Sequence, residues 1–173
     1  MNNPKKFLGG QVMIESLIAI SIGMFGLLGI LTLVSRSISL QNDLSQQFTA
    51  NYLAAEGVEL VRSNIDAFYN PLATDPWGDA KNGFGLGRYQ ISYDGIWQVF
   101  SGSSPTGLDF LSLKGGLYGY FEPGAGVSET IFKRQVEVVR SDDIKIQIIA
   151  TVFWESRGEE KTVVLEDSFY NWR

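Results

Sequence analysis

The hydrophobic pattern divides the chain into an uncharged run near its beginning and a longer part in which polar and apolar positions alternate. Residues 16–35 contain no charged side chain, and Leu, Ile, Val, Met, Phe and Gly fill most of the run. Twenty helical residues rise about 30 Å, which is the thickness of the hydrocarbon core of a bilayer. We therefore predict that residues 11–35 form a membrane-spanning helix.

The same helix is predicted to continue into an amphipathic half over residues 36–69. No proline interrupts the chain from Gln11 to Ala67, and Pro71 supplies the stop, because the residue before a proline is pushed out of the helical region. Apolar residues recur at spacings of three and four or their sums, which predicts one buried stripe. The predicted stripe consists of Leu40, Leu44, Phe48, Ala55, Val58 and Ile65.

The opposite side of this amphipathic half carries charged residues. Glu56 and Glu59 with Arg62 lie at helical spacing, and we interpret them as a solvated face with ion pairs along the helix surface. The apolar stripe must pack against another element, and we expect the strands further along the chain to bury it. Residues 70–87 are rich in Pro, Gly, Asp and Asn, which predicts an irregular connection between helix and sheet.

Residues 70–173 are predicted to form a loop-rich antiparallel β domain. The clearest strand is Ile144 to Trp154, in which the even positions are all apolar and the odd positions are mixed. Asp94-Gly95 predicts the turn of a hairpin, and residues 115–126 predict a glycine-rich surface excursion. Further strands are predicted at residues 88–93, 96–100, 108–113, 132–138 and 161–165. The elements together predict the α+β class, with a long helix packed on a C-terminal antiparallel sheet.

The composition excludes several kinds of chemistry. The chain has no cysteine and no histidine, so it lacks thiolates, the commonest general base and the commonest metal ligand. Asp75, Asp79 and Asn82 do not follow the spacing of a calcium-binding loop. The net charge of −5 disfavours phosphate contacts with nucleic acid. We therefore expect no catalytic residues, no metal, no cofactor and no direct nucleic-acid partner.

A short basic segment precedes the apolar run. Residues 1–10 carry Lys5 and Lys6 and no acid, which places the N-terminal end in the cytoplasm and the β domain outside. The segment ends in Gly9-Gly10, and Glu15 follows at the N-terminal end of the apolar helix. A carboxylate in such a position is costly in lipid, so Glu15 is a functional candidate that needs a partner.

A basic leader that ends in glycine, with a glutamate fifth after it at the head of an apolar helix, resembles the type IV prepilin signature. Pilins, minor pilins and the pseudopilins of secretion and DNA-uptake machines share this signature. The resemblance implies the type IV pilin fold and cleavage between Gly10 and Gln11 by prepilin peptidase. It also implies methylation of the new terminus at Gln11, although the family usually has Phe or another apolar residue there. Loss of the leader would change the net charge from −5 to −7.

The resemblance also implies an assembly role for Glu15. In the family, this carboxylate pairs with the amino terminus of an adjacent subunit and sets the register as subunits leave the membrane for the filament. The implied partners are other pilin subunits, membrane lipid and, indirectly, an assembly ATPase and inner-membrane platform proteins. The implied location is a single-pass membrane protein that moves into an extracellular pilus or an envelope-spanning pseudopilus.

Several alternatives remain open at this stage. The strand-turn-strand ending with Trp172 near the terminus resembles PilV-like minor pilins, which favours a minor pilin that enters or primes a pilus. A type II secretion or competence pseudopilin is the alternative within the family. A signal-anchored surface adhesion domain that never polymerises is the alternative from another class. Gly23, Gly26 and Gly29 predict either a face for helix packing in lipid or a segment that melts during assembly.

Overall fold

The computed structural model describes residues 8–68, 86–95, 97–102, 104–142 and 144–170. These residues form one long helix, α1 (Leu8–Phe68), and seven strands. The strands are β1 (Gly87–Ile91), β2 (Trp97–Val99), β3 (Phe110–Lys114), β4 (Leu117–Gly119), β5 (Val127–Asp142), β6 (Lys145–Ser156) and β7 (Glu159–Tyr170). The chain divides into two compact units, one ending at Ser45 and the other beginning at Gln46. The first unit is helical throughout its described part.

The second unit combines the last third of α1 with an antiparallel sheet built around β5. Lys133 of β5 pairs with Phe110 of β3 on one side and with Phe153 of β6 on the other. Further along β5, Val136 pairs with Tyr89 of β1 on the side that β3 occupies earlier. The outer neighbours are β2 beside β1, β4 beside β3, and β7 beside β6. This arrangement confirms the predicted α+β class.

Several strand predictions are confirmed by the pairing. The hairpin of β1 and β2 has Gln90 opposite Gln98, and its turn holds Gly95 at φ +75°, a backbone conformation that favours glycine. In β6 the even residues from Ile146 to Trp154 are buried and the odd ones are partly exposed, as the alternation predicts. Most of the predicted connection over residues 70–87 lies outside the described residues.

Two predictions about the second half of the chain are corrected. Residues 115–126 are not entirely a surface excursion, because Leu117–Gly119 pair with β3 as strand β4. The returning strand does not end near Leu165 but continues to Tyr170, opposite Lys145. Both stretches contain glycine or acidic residues that lower strand propensity, and pairing with a neighbouring strand outweighs that local preference.

The helix covers one face of the sheet with a stripe of small and branched side chains. Ala50, Leu53, Ala54, Val58, Val61 and Ile65 are buried against the sheet. The sheet contributes the inward residues Tyr89, Ile91, Leu111, Phe132, Val136, Val138, Ile146, Ile148, Ala150, Val152 and Trp154 to the same core. Each fully buried large apolar side chain stabilises the fold by about 1.5–3 kcal/mol, so this interface is the main source of stability.

The predicted stripe on α1 is therefore largely wrong. Leu40, Leu44, Phe48 and Ala55 are exposed, and only Val58 and Ile65 of that set are buried. Repeated steps of four residues advance about 40° around the helix each time, so a stripe drawn through them drifts off the buried face. The buried face combines large apolar residues with small ones, and the predicted stripe missed members of both kinds. The missed residues are Ala50, Leu53, Ala54, Gly57 and Val61.

Gly57 allows the helix to approach the sheet closely. A Cβ atom added at this position would lie 3.1 Å from Val136 Cγ2 and 3.2 Å from Arg134 Cδ. Both neighbours are fully buried and belong to the central strand, so they have little room to move. The absence of a side chain at Gly57 therefore sets the distance between helix and sheet.

We predict that Gly57→Val lowers the free energy of unfolding by about 2 kcal/mol, because overpacking between α1 and β5 forces the layers apart. Ala55→Val is the matched control on the exposed side of the same helix turn, and we expect it to change the value by about 0.5 kcal/mol. Urea unfolding of the detergent-solubilised chain, followed by tryptophan fluorescence, measures both. Equal losses in the two variants would contradict the close approach at Gly57.

Candidate functional site

The predicted processing and assembly residues lie in the first turns of α1. Gln11 and Glu15 are four residues apart, which places them one turn apart on the same side of the helix. Together with Gly10, Ile14 and Ile18, they line an open depression of about 620 Å³. Lys5 and Lys6 lie outside the described residues. The helix thus places Gln11 and Glu15 on one side, and Gly10 borders the same depression.

The small size of Gly10 is not required by packing within the described residues. A Cβ atom added at Gly10 would meet no atom within 4 Å. The helix also runs continuously from Leu8 through this position, although glycine costs about 1 kcal/mol relative to alanine inside a helix. The local fold therefore offers no reason for glycine at this position.

The carboxylate of Glu15 is exposed on the surface of an apolar helix. Among the described residues, Glu15 forms no ion pair. An ionised carboxylate in a hydrocarbon environment is expensive unless a cation or a set of hydrogen-bond donors accompanies it. If this turn of the helix lies in lipid, the partner of Glu15 must come from outside the described part of the chain.

The N-terminal part of α1 has the length and composition of a membrane anchor or a signal segment. Its most apolar window has a mean hydropathy of 2.5, and none of that window is buried. The large side chains along it are exposed, as the 75% exposure of Phe25 illustrates. A surface of this kind is stable only when lipid or other apolar helices cover it.

Three of the four hydroxyl groups in residues 16–35 are satisfied inside the helix itself. Ser16 donates to the carbonyl of Val12 at 2.7 Å, Ser21 to that of Leu17 at 2.8 Å, and Thr32 to that of Leu28 at 2.8 Å. An unsatisfied hydroxyl would be costly in hydrocarbon, and these bonds remove that cost without a partner from another helix.

No contact within the described residues requires glycine at the three glycine positions of the apolar segment. Cβ atoms added at Gly23, Gly26 and Gly29 would meet nothing within 4 Å, and the helix is continuous through all three. A step of three residues also turns about 60° short of a full circle, so the glycines spiral slowly around the helix. Both predicted roles, helix packing in lipid and local melting, concern contacts or states beyond this one chain.

The second unit contains a buried cation that the sequence did not reveal. The side chain of Arg134, on β5, is fully buried. Its Nη1 donates to the carbonyl of Leu53 at 3.1 Å and to Glu56 Oε2 at 3.0 Å, and its Nη2 donates to the carbonyl of Ile91 at 2.6 Å. Its Nε has no partner among the described residues. One guanidinium therefore joins the helix, the central strand and the end of β1.

The environment of Glu56 corrects the prediction that it belongs to a purely solvated face. Its side chain is 34% exposed and pairs with the fully buried Arg134. Glu59 and Arg62 do form the predicted surface pair, at 3.8 Å. The difference between Glu56 and Glu59 depends on a strand almost eighty residues later, so the local sequence of the helix carries no signal for it.

Tyr120 forms a hydrogen bond to the backbone of the same residue, Arg134. Its hydroxyl donates to the backbone carbonyl of Arg134 at 3.2 Å. Burial raises the pKa of the Tyr120 phenol well above its usual value, and the nearby Asp109 carboxylate also raises the pKa, while Arg134 acts in the opposite direction. The phenol therefore stays neutral in the folded protein across the physiological range.

The sheet face turned away from the helix carries two open grooves. One, of about 540 Å³, lies over β5 and β6, and the other, of about 790 Å³, lies beside the loop that follows β4. Phe110 and Lys133 line both grooves, and the Lys133 ammonium lies 4.4 Å from the centre of the Phe110 ring. Within the described residues, no group of three acidic side chains is placed to hold a metal ion.

Comparison of the chain with protein-family models, with curated proteins and with solved structures found no match. The functional assignment therefore depends on the residues of this chain and on their geometry.

We predict that Glu56→Gln lowers the free energy of unfolding by about 2 kcal/mol, because it leaves the charge of Arg134 buried without its counter-ion. The same substitution in an Arg134→Met background should cost almost nothing, which gives a coupling of about 2 kcal/mol in a double-mutant cycle. Glu59→Gln is the matched control and should cost less than about 0.5 kcal/mol, because its pair is exposed. A coupling near zero would show that the buried pair does not stabilise the fold.

A second prediction concerns alkaline pH. Because the pKa of Tyr120 is raised on folding, the unfolded chain releases this proton first, and stability falls as the pH rises above about 10. Tyr120→Phe should cost about 1 kcal/mol at pH 8 through the lost hydrogen bond. The loss in free energy of unfolding of Tyr120→Phe relative to the wild type should shrink by up to about 1.4 kcal/mol per pH unit above pH 10. Urea unfolding at a series of pH values measures this, and a constant difference would contradict the raised pKa.

Proposed function

We propose that this protein is a minor type IV pilin. In this proposal it enters the membrane as a prepilin, is cleaved after Gly10 by prepilin peptidase, and is assembled into a pilus filament or primes one. The observation that carries the proposal is the arrangement at the head of α1. Glu15 is an exposed carboxylate that forms no ion pair within the described residues, and it lies one helical turn after Gln11 on an apolar helix whose side chains are exposed.

The geometry around Gly10 supports the processing step. Within the part of the chain that the structure describes, neither packing nor an unusual backbone conformation requires glycine there, and glycine weakens the helix. A requirement imposed by an external enzyme, which must bind the backbone closely on both sides of the cleaved bond, accounts for it. Cleavage there would remove Lys5 and Lys6, and with them the basic charge that holds the segment at the cytoplasmic surface.

Cleavage would also create the missing partner of Glu15. The new ammonium group at Gln11 would lie one helical turn from the carboxylate in the same chain, or would be available to the carboxylate of a neighbouring chain. Pairing in a low-dielectric environment removes most of the cost of the buried carboxylate. A subunit whose terminus is misaligned with its neighbour would leave both charges unpaired, and this penalty would select one axial register.

The exposed apolar surface of α1 supports the same mode of assembly. In the membrane, lipid would cover it, and in a filament the helices of other subunits would replace the lipid. The sheet domains would then face outward. The function is assembly, and the ATPase and the membrane platform that drive it would be separate proteins. No catalytic role is proposed for this chain.

The experiment that tests this proposal determines the N-terminal sequence and the intact mass of the membrane-bound protein. We predict that the wild-type chain begins at Gln11, with a free or methylated amino group, and that Gly10→Leu abolishes the cleavage and leaves the leader in place. An intact leader in both proteins would overturn the filament proposal in favour of a signal-anchored domain. Gln11 cyclised to pyroglutamate would support cleavage but remove the cation on which the Glu15 mechanism depends.

Glu15→Gln separates processing from assembly in the same experiment. The amide has nearly the shape of the carboxylate but no charge, so cleavage should continue while incorporation into sheared filaments falls. Undiminished incorporation would contradict the ion-pair mechanism. Loss of secretion or of DNA uptake on deletion of the gene, with pili intact, would favour the pseudopilin alternative.

A further inference from the structure

The strand β7 is an exposed edge of the sheet. It is twelve residues long, and among the described residues its only strand partner is β6. Its register with β6 is unbroken from Lys145 opposite Tyr170 to Ser156 opposite Glu159. The side of β7 turned away from β6 therefore presents backbone N–H and C=O groups that can accept a further strand. In the single chain, the Ser168 N–H donates to Asp167 Oδ1 at 2.7 Å, and this bond would have to rearrange on pairing.

The middle of this edge is apolar and its ends are charged. Val164 is 55% exposed and Leu165 is 39% exposed, and no proline or bulge interrupts the strand. The charges comprise Glu159, Glu160 and Lys161 at one end and Glu166 and Asp167 towards the other. Because both signs are present, the edge does not simply repel a copy of itself, and the outcome depends on the register.

We propose that β7 pairs with β7 of a second copy of this chain, antiparallel and about a two-fold axis at Val164. Such an axis runs perpendicular to the sheet, so each side chain keeps its face and can oppose only residues on the same face. Odd-numbered β7 residues share the helix-covered face with the even-numbered, buried residues of β6. Only registers that match odd with odd and even with even are therefore possible.

The register centred on Val164 matches the two edges chemically. It places Val164 opposite Val164, Val163 opposite Leu165, and Lys161 opposite Asp167 twice. Lys161 pairs with Glu159 in the single chain, and in the dimer its ammonium would be shared between Glu159 and Asp167 of the second copy. The remaining pairs are Thr162 with Glu166, Glu160 with Ser168 and Glu159 with Phe169, so no like charges oppose each other. Apolar pairs at the centre and opposite charges towards both ends stabilise antiparallel strands.

The neighbouring registers are worse. The register centred on Val163 places Glu159 opposite Asp167 and Glu160 opposite Glu166, which are like-charge pairs on both faces. The register centred on Leu165 instead places Val163 opposite Asp167 and Val164 opposite Glu166, which exposes apolar side chains to carboxylates. The sequence of β7 therefore selects one register of self-pairing.

This pairing has a geometric consequence. Buried residues extend along α1 from Ala50 to Ile65, so within the second unit the helix lies along the sheet. A two-fold axis perpendicular to the sheet reverses the helix direction, and the two chains leave their second units at Gln46 in opposite directions. The pairing does not depend on cleavage at Gly10.

Disulfide cross-linking of the full chain in detergent tests the register, because the chain has no cysteine of its own. Opposed Cα atoms in an antiparallel pair lie about 4.5–5.5 Å apart, within disulfide range. We expect Val164→Cys to form a disulfide dimer under mild oxidation. Thr162→Cys is the matched control on the same face. Its two copies would lie about 13 Å apart, too far to bridge, but it should cross-link with Glu166→Cys when the two variants are mixed.

Charge reversal distinguishes pairing from loss of folding. In the Val164→Cys background, Lys161→Glu should abolish the dimer, and the further change Asp167→Lys should restore it because the opposed charges are merely exchanged. Failure of Val164→Cys to cross-link, equal cross-linking of Thr162→Cys alone, or insensitivity to Lys161→Glu would each overturn the proposal. A near-ultraviolet circular dichroism spectrum verifies that each variant is folded. If Lys161→Glu is not folded, cross-linking between Thr162→Cys and Glu166→Cys tests the register instead.

The uncleaved chain can be used throughout these cross-linking experiments, so a failure of the β7 pairing is distinct from a failure of the proposed processing.

Discussion

The guanidinium of Arg134 is the constraint around which the second unit is organised. It is fully buried between helix and sheet and donates to the carbonyls of Leu53 and Ile91 and to the carboxylate of Glu56. Desolvation of a charge is expensive, so these acceptors must all be in place when the layers close. Gly57, one residue after Glu56, lets the helix come near enough to reach them. Burial of this charge therefore fixes the orientation of the helix on the sheet, at the distance that Gly57 allows.

The two units differ in whether their apolar side chains are buried within the chain. The second unit covers the small residues of the helix with its own sheet, and a single core results. The helix of the first unit leaves its large apolar side chains exposed, and the hydroxyls of Ser16, Ser21 and Thr32 donate to its own carbonyls. Such a segment suits a solvent of lipid or of other helices. The carboxylate of Glu15 is the exception, because nothing in the described chain neutralises it, and the proposed function supplies its cation by proteolysis.

The proposed contacts of the molecule use opposite kinds of symmetry. Helices that share a membrane or a filament must run in the same direction, and a repeated contact of that kind builds an open array. Pairing through β7 reverses the helix and closes after two copies. The first contact would be set by the head of α1 and the second by the register of an exposed strand, so the two can operate independently.

The sequence by itself determined the long helix, the apolar segment, the hairpin at Asp94-Gly95 and the alternation of β6, because these follow from local composition and period. It also placed Gly10, Gln11 and Glu15 in one short stretch, where helical spacing fixes their geometry. Only the tertiary structure decided which face of α1 is buried, that Arg134 pairs with Glu56, and that β7 has β6 as its only strand partner among the described residues. These depend on residues that are far apart in the chain and meet only when helix and sheet pack, so no local pattern of hydrophobic and polar positions contains them.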